Sequence, residues 1–398
     1  MNFLDEFKKR GMFHQCTNIS NLSEIMARTK ITAYIGFDCT APSLHVGSLL
    51  QIMILRLLQK HGHTPIVLLG GGTTRIGDPS GKDDARKILS DEEIEKNRDG
   101  IKKVLSQFLD MDKVLVVDNG DWINGLNYVD FLRTYGKHFS VNKMLSYDSV
   151  KSRLEREQNL SFLEFNYMLL QAYDFVELYF KYNCILQIGG SDQWGNIING
   201  MELLRKIDGE EGYGLTTPLI TTANGSKMGK TASGAVWLDN DHPAYDYWQF
   251  WRNTDDKDVI KFLKFFTEIP LSEIDDISNK NINELKVILA NEATKICFGE
   301  EAAILSSTRA DKIFKLGLHD DPIDFDLGDG IKLYKLILDF KYANSGNEAK
   351  KIIAGGGVRI DEKKVTDITT VLTAEHAGID GIIKITIGGK KHLALKVL

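Results

Sequence analysis

The stretch ITAYIGFDCTAPSLHVGS, residues 31–48, decides how the chain is read. Residues 31–37 mix β-branched and aromatic side chains, the composition of a strand, and Gly36 interrupts the run where a ligand or backbone can come close. Asp38 to Ala41 make a polar-to-small exit. Pro42 and Ser43 follow as a turn, with Ser43 placed to cap a helix over residues 44–60 that Gly62 closes. His45, Val46, Gly47 and Ser48 then fall on the first turn of a helix that follows a strand. Free N–H groups and the helix dipole favour phosphate there. On its own, one histidine on one such turn is an ordinary strand–helix unit.

The chain has 398 residues, enough for two or three domains. Its 43% hydrophobic and 26% charged content is that of a globular protein. Cys16, Cys39, Cys184 and Cys297 are far apart and show no C-x-x-C spacing, which argues against a zinc site or disulfide frame and fits a reducing compartment. The start, MNFLDEFKKRGMF, has no apolar signal core, and no run is long enough to span a bilayer. The expectation is a soluble cytoplasmic protein without a membrane partner. Net charge is −6, unevenly spread: residues 331–398 hold 12 basic and 7 acidic side chains, net +5, against −11 for the remainder. A basic tail on an acidic body suits a module for an anionic partner.

Residues 1–30 read as helical and peripheral. Residues 64–70 are a buried strand leading into GGGTTRIGDPSGK, residues 70–82. This is not a Walker loop, because Ile76 stands where a glycine is required and Asp83 follows Lys82. Residues 91–111 read as a charged amphipathic helix, 113–118 as a strand and 120–122 as a turn. Strands and helices alternating at crossover spacing predict an α/β fold with a Rossmann-like, doubly wound parallel sheet.

Ser161 to Glu164 form a capping-box pattern opening a helix that carries Tyr167, Gln171 and Asp174 at i, i+4 and i+7, on one face. A solvated stripe more often carries Lys and Glu. The strand 184–188 ends in GGSDQWGN, where paired glycines admit a ligand and Asp192 and Gln193 suit ribose hydroxyls. After the turn pair Asn224-Gly225 comes SKMGKT, residues 226–231. Residues 244–253 are aromatic-rich, and helical patterns run near 256–266 and 282–315. Residues 317–330 are acidic with Pro and Gly, then come helices at 331–341 and 346–354, a triple glycine and short strands.

Three of these strings resemble the signatures of class I aminoacyl-tRNA synthetases, in family order. YIGFD-T-SLHVG looks like the first (HIGH), with Ser48 for the second histidine. SKMGKT matches the second (KMSKS), with Gly229 and Thr231 for its serines. YMLLQAYDF through LQIGGSDQWGN, with GDPSGK and Arg86, is most similar to the tyrosyl branch of bacterial and organellar type. The resemblance covers essentially the whole chain.

By that resemblance, Tyr34 and Asp174 hold a phenolic hydroxyl. Asp78, Tyr167 and Gln171 hold the α-ammonium, supported by Asp38. Gly190, Asp192 and Gln193 serve the ribose and the aminoacyl carboxylate. Gly36, Gly47 and Ser48 cradle ATP, and Lys82, Arg86, Lys227 and Lys230, with Thr40, His45 and Thr231, stabilise the phosphates. The resemblance implies a catalytic domain over 1–240, a helical anticodon-recognition domain over 241–318, an acidic linker over 319–330 and a small RNA-binding domain of ribosomal-protein type over 331–398. Tyrosine, ATP and tRNA(Tyr) are the implied partners of a homodimer. Magnesium travels with ATP, and no protein-bound metal is expected. Two rivals are a tryptophanyl synthetase and an RNA-binding or splicing relative that lost catalysis. Tyr34 and Asp174 speak against an indole pocket, and the intact lysine pair speaks against lost catalysis.

Overall fold

The computed structural model describes the chain apart from residues 80–87, 222–227, 229, 232–233, 240, 317–322, 329, 341, 344, 379–380 and 389–390. It forms two compact units, Met1–Ala303 and Ile304–Leu398.

The first unit is built on six strands: β1 Gln15–Cys16, β2 Thr32–Asp38, β3 Thr64–Gly70, β4 Leu115–Asp118, β5 Cys184–Gly190 and β6 Tyr213–Thr217. Their order in the sheet is β1-β6-β5-β2-β3-β4. The strands from β2 to β6 pair in parallel and β1 lies antiparallel on β6, an edge strand too short to show a period. Gly36 does not break β2, which runs on to Asp38. β4 starts only at Leu115, because Met111–Lys113 is a 3-10 turn.

Strand order reverses between β2 and β5, the place where doubly wound sheets bind ligands. The ladder between these two strands ends at Tyr34 opposite Gln187, although β2 continues to Asp38 and β5 to Gly190. The strands part there and a crevice opens.

The helix after β2 begins at Leu49, later than expected, and runs to Lys60. Leu44 and Val46 are tied instead to a distant segment: Leu238 N–H donates to the Leu44 carbonyl at 2.9 Å and Val46 N–H to the Val236 carbonyl at 3.0 Å. That pairing holds the chain extended until a 3-10 turn, Val46–Ser48, leads into the helix. His45 is therefore a cap, not a first-turn residue; its Nδ1 accepts from Gly47 N–H at 2.9 Å. Ser43 Oγ bonds the Leu44 carbonyl and caps nothing. Helix Leu49–Lys60 buries Leu50, Ile52, Ile54, Leu55 and Leu58, apolar on most sides as an inner helix must be.

The N-terminal helix Phe3–Lys9 is not peripheral. Phe3 and Phe7 are buried, and the Arg10 guanidinium donates to the carbonyls of Lys264, Thr267 and Ile269. The helix expected over 91–111 spans Asp91–Phe108 behind a Ser90–Glu93 capping box, and residues 120–122 belong to a helical turn, Gly120–Ile123. Helices Ala244–Arg252, Val259–Phe266, Leu271–Ile277 and Ile282–Phe298 complete the first unit, with Tyr247, Trp248 and Trp251 in their core. Gly299, at φ +88°, ends one helix before Glu300–Leu316 begins, so the pattern over 282–315 is two helices.

The second unit pairs Lys363–Val365, Val358–Ile360, Ile382–Ile387, Lys391–Val397 and Ile323–Phe325 in that order. Helices Leu333–Asp339 and Gly346–Ala354 bury Leu333, Leu336, Ile337 and Ile353 in the core with Ile383, Ile385 and Leu395. Within the expected linker, Ile323–Phe325 is an edge strand parallel to Leu395–Val397, and Leu327 is buried in this core.

Candidate active site

A cleft of about 390 Å³ occupies the crevice beyond the β2–β5 ladder. It brings together Tyr34, Gly36, Asp38, Thr40, His45, Gly47, Ser48, Asp78, Tyr167, Gln171, Asp174, Gly190, Asp192 and Gln193, which come from three separated parts of the chain.

The deep end is built by the helix Phe162–Tyr182, opened by the expected capping box of Ser161 and Glu164. Asp174 is buried, with Oδ1 accepting from Trp122 Nε1 at 2.8 Å and Oδ2 from Asn119 Nδ2 at 3.0 Å. Burial pushes its carboxyl up to about 8 against these two donors, and Asp38 and Glu177 add to the rise. The Tyr34 hydroxyl is buried without a hydrogen-bond partner, and its ring leans on Phe175. Its acidity is weakened by burial first and by Asp174 second. An unpartnered buried hydroxyl is costly, and a ligand hydroxyl would satisfy it.

Nearer the mouth the side chains offer acceptors. Tyr167 donates to Asp38 Oδ2 at 3.1 Å, and Thr73 Oγ1 donates to Asp38 Oδ1 at 2.9 Å. Gln193 Nε2 donates to Asp78 Oδ2 at 2.8 Å, while Gln193 Oε1 accepts from Gln171 and Asn196. The Gln171 carbonyl oxygen is left buried and unpartnered. Two carboxylates and a free amide oxygen around one space suit an ammonium group.

The remaining wall suits a nucleotide. Nothing lies within 4 Å of where a Cβ on Gly36 would stand, so any side chain there would project into the cleft. A Cβ on Gly47 would sit 2.5 Å from the His45 ring, so only glycine allows the cap. His45 rests edge-on against Trp237 at 6.1 Å. Thus the strip 236–238, which follows the second signature, supports the first. Of that signature, Met228 is buried, and Lys230–Thr231 pairs antiparallel with Gly234–Ala235 beyond it. Lys82, Arg86 and Lys227 lie outside the described residues, as do the side chains of Lys230 and Thr231.

Sequence reading missed Thr73, Asn119, Trp122, Gln51 and Gln187. Asn119 follows β4 directly and Thr73 follows β3 by three residues, at the sheet's carboxyl edge, which was the available signal. Gln51 and Gln187 line the cleft and each keeps a buried, unpartnered amide oxygen. Among the described residues no group of His, Cys, Asp and Glu is arranged to hold a metal ion.

Residues 26–315 match the family described as tRNA synthetases class I (W and Y). The chain belongs to that family. It is 55% identical over 407 residues to a tyrosine–tRNA ligase of Pelagibacter ubique, covering 100% of this chain and 99% of the relative. It is 52% identical over 411 residues to that of Rickettsia typhi, covering 100% of both. Among solved structures, a C-terminally truncated mitochondrial tyrosyl-tRNA synthetase of Aspergillus nidulans superposes with TM-score 0.71 at 30% identity, over 79% of this chain and 94% of that one.

Proposed function

We infer that the chain is a tyrosine–tRNA ligase. The observation that carries the substrate is the deep end of the cleft, where the unpartnered Tyr34 hydroxyl meets buried Asp174. Those groups match a phenol, whose hydroxyl can both donate and accept; an indole N–H can only donate and would leave the Tyr34 hydroxyl unpaired. Asp78, Tyr167 and Gln171 receive the ammonium, with Asp38 behind Tyr167. Tyrosine carboxylate attacks the α-phosphate of ATP in line, giving tyrosyl-adenylate and pyrophosphate; the terminal adenosine of tRNA(Tyr) then takes the tyrosyl group. The side chains position reactants and stabilise developing charge. Gly36, Thr40, His45, Gly47, Ser48, Gly190, Asp192 and Gln193 line the ATP side. Lys82, Arg86, Lys227, Lys230 and Thr231 act on the phosphates, and magnesium enters with ATP.

The helical segment 241–318 serves anticodon recognition, and 331–398, net +5, binds structured RNA through phosphate contacts. The working form is a cytoplasmic homodimer; exposed Val129, Val141, Phe162 and Leu163 supply apolar surface for it. No helix among the described residues is long and apolar enough to cross a membrane. ATP–pyrophosphate exchange with a panel of amino acids tests the reading. Exchange with tyrosine alone supports it. Exchange with tryptophan, or none at all, would favour one of the two rivals.

A further inference from the structure

Two protons of one amide lead to opposite ends of the cleft. Asn119 is 1% exposed, and its Oδ1 accepts the backbone N–H groups of Gly72 at 2.8 Å and Thr73 at 3.3 Å. That fixes the amide orientation, so both protons on Nδ2 point elsewhere. One goes to Asp174 Oδ2 at 3.0 Å. The other goes to Thr73 Oγ1 at 2.9 Å. Having accepted there, the Thr73 hydroxyl gives its own proton to Asp38 Oδ1 at 2.9 Å, and Asp38 Oδ2 takes the Tyr167 proton. Thr73 is 2% exposed. Gly70 makes the approach possible, since a Cβ there would stand 2.3 Å from Asp38 Oδ1 and 2.7 Å from Thr73 Oγ1.

We propose that Thr73 is a positioning residue that couples the hydroxyl-binding end of the cleft to its ammonium-binding end, through the chain Asp174–Asn119–Thr73–Asp38–Tyr167. The inference rests on the tyrosine reading. Each proton that Asn119, Thr73 and Tyr167 give to this chain has one destination, so ordering one member restricts the next. A ligand hydroxyl that immobilises Asp174 leaves less disorder for the ammonium to remove at Asp38 and Tyr167, which is positive cooperativity between two groups of one ligand. An amino acid without the hydroxyl then loses that contact and also part of its ammonium anchoring.

The test is a ligand cycle by equilibrium binding, direct or by competition. The four ligands are tyrosine, phenylalanine and the deamino analogue of each. The cycle is run on the full chain, on Thr73→Val and on Thr73→Ser. Two groups on one molecule help each other in any pocket, so the informative quantity is the difference between proteins. The hydroxyl and ammonium contributions should be coupled by about fivefold or more in the parent. The coupling should fall at least about threefold in Thr73→Val and return in Thr73→Ser. Equal coupling in parent and Thr73→Val overturns the proposal. So does additivity in the parent, which needs no variant to fold. Failure of tyrosine to bind the parent at all would instead strike the substrate reading.

Discussion

Asp174 is the residue on which substrate reading and protein stability meet. Its carboxyl titrates near 8 when folded, against 3.8 in an unperturbed chain. Between those values the folded state holds a proton that the unfolded chain has released. The contribution therefore favours folding in full below about pH 4 and is lost as pH rises through about 8. Asp174→Asn is neutral throughout. Its stability relative to the parent should rise between pH 5 and 8, by at most about 1.4 kcal/mol per pH unit. Urea unfolding of both proteins at several pH values checks this, and a pH-independent gap would contradict it. Lys230→Ala should slow adenylation by the equivalent of about 2–4 kcal/mol with little change in tyrosine affinity, since its contact forms with the departing pyrophosphate. Pre-steady-state kinetics would read the split. At this scale Tyr167, Gln171 and Asp174 were legible because helical spacing puts them on one face. Asn119, Thr73 and Trp122 were not: each sits in a loop or short turn where polar residues ordinarily mean turn chemistry, and only the folded sheet shows what they donate to.

Among the elements, the helix Phe162–Tyr182 does most to place the site. Its capping box could be read directly, because Ser161 and Glu164 satisfy each other's backbone N–H groups. Ser161→Ala should cost about 1 kcal/mol, seen as a lower thermal midpoint, with the tyrosine-to-phenylalanine preference unchanged. A variant as stable as the parent would mean that the buried Arg153–Glu164 pair alone sets the helix start. The segment 44–48 shows the opposite case. Its residues suit a helix, yet pairing with 236–238 overrides them, and that partner lies almost two hundred residues away. No local pattern announces such a contact. The same holds for Arg10, whose carbonyl partners lie in residues 264–269.

For the whole molecule, strand–helix alternation was enough to give the parallel sheet, and the crevice followed from where strand order reverses. The role of Ile323–Phe325 was hidden, because a three-residue strand inside an acidic Pro/Gly stretch has no period to read. It also decides where a truncation belongs. A chain ending at Leu316 removes that strand together with its partner, Leu395–Val397. It should keep tyrosine-dependent pyrophosphate exchange and charge tRNA poorly. Its tRNA binding should fall less steeply with salt than the parent's. Charging by the shortened chain at the parent's rate would remove the RNA-binding role from the tail. The central claim is that Tyr34 and Asp174 read the substrate hydroxyl. The most direct measurement is kcat/KM of adenylation for tyrosine and for phenylalanine in the parent, Tyr34→Phe and Asp174→Ala. The parent should favour tyrosine, because phenylalanine leaves the buried Tyr34 hydroxyl unpaired at about 1–3 kcal/mol and forgoes the bond to Asp174. The ratio should narrow modestly in Tyr34→Phe and further in Asp174→Ala, which loses the carboxyl and the pocket's shape together. If both variants kept the parent's ratio, the hydroxyl would have to be read elsewhere.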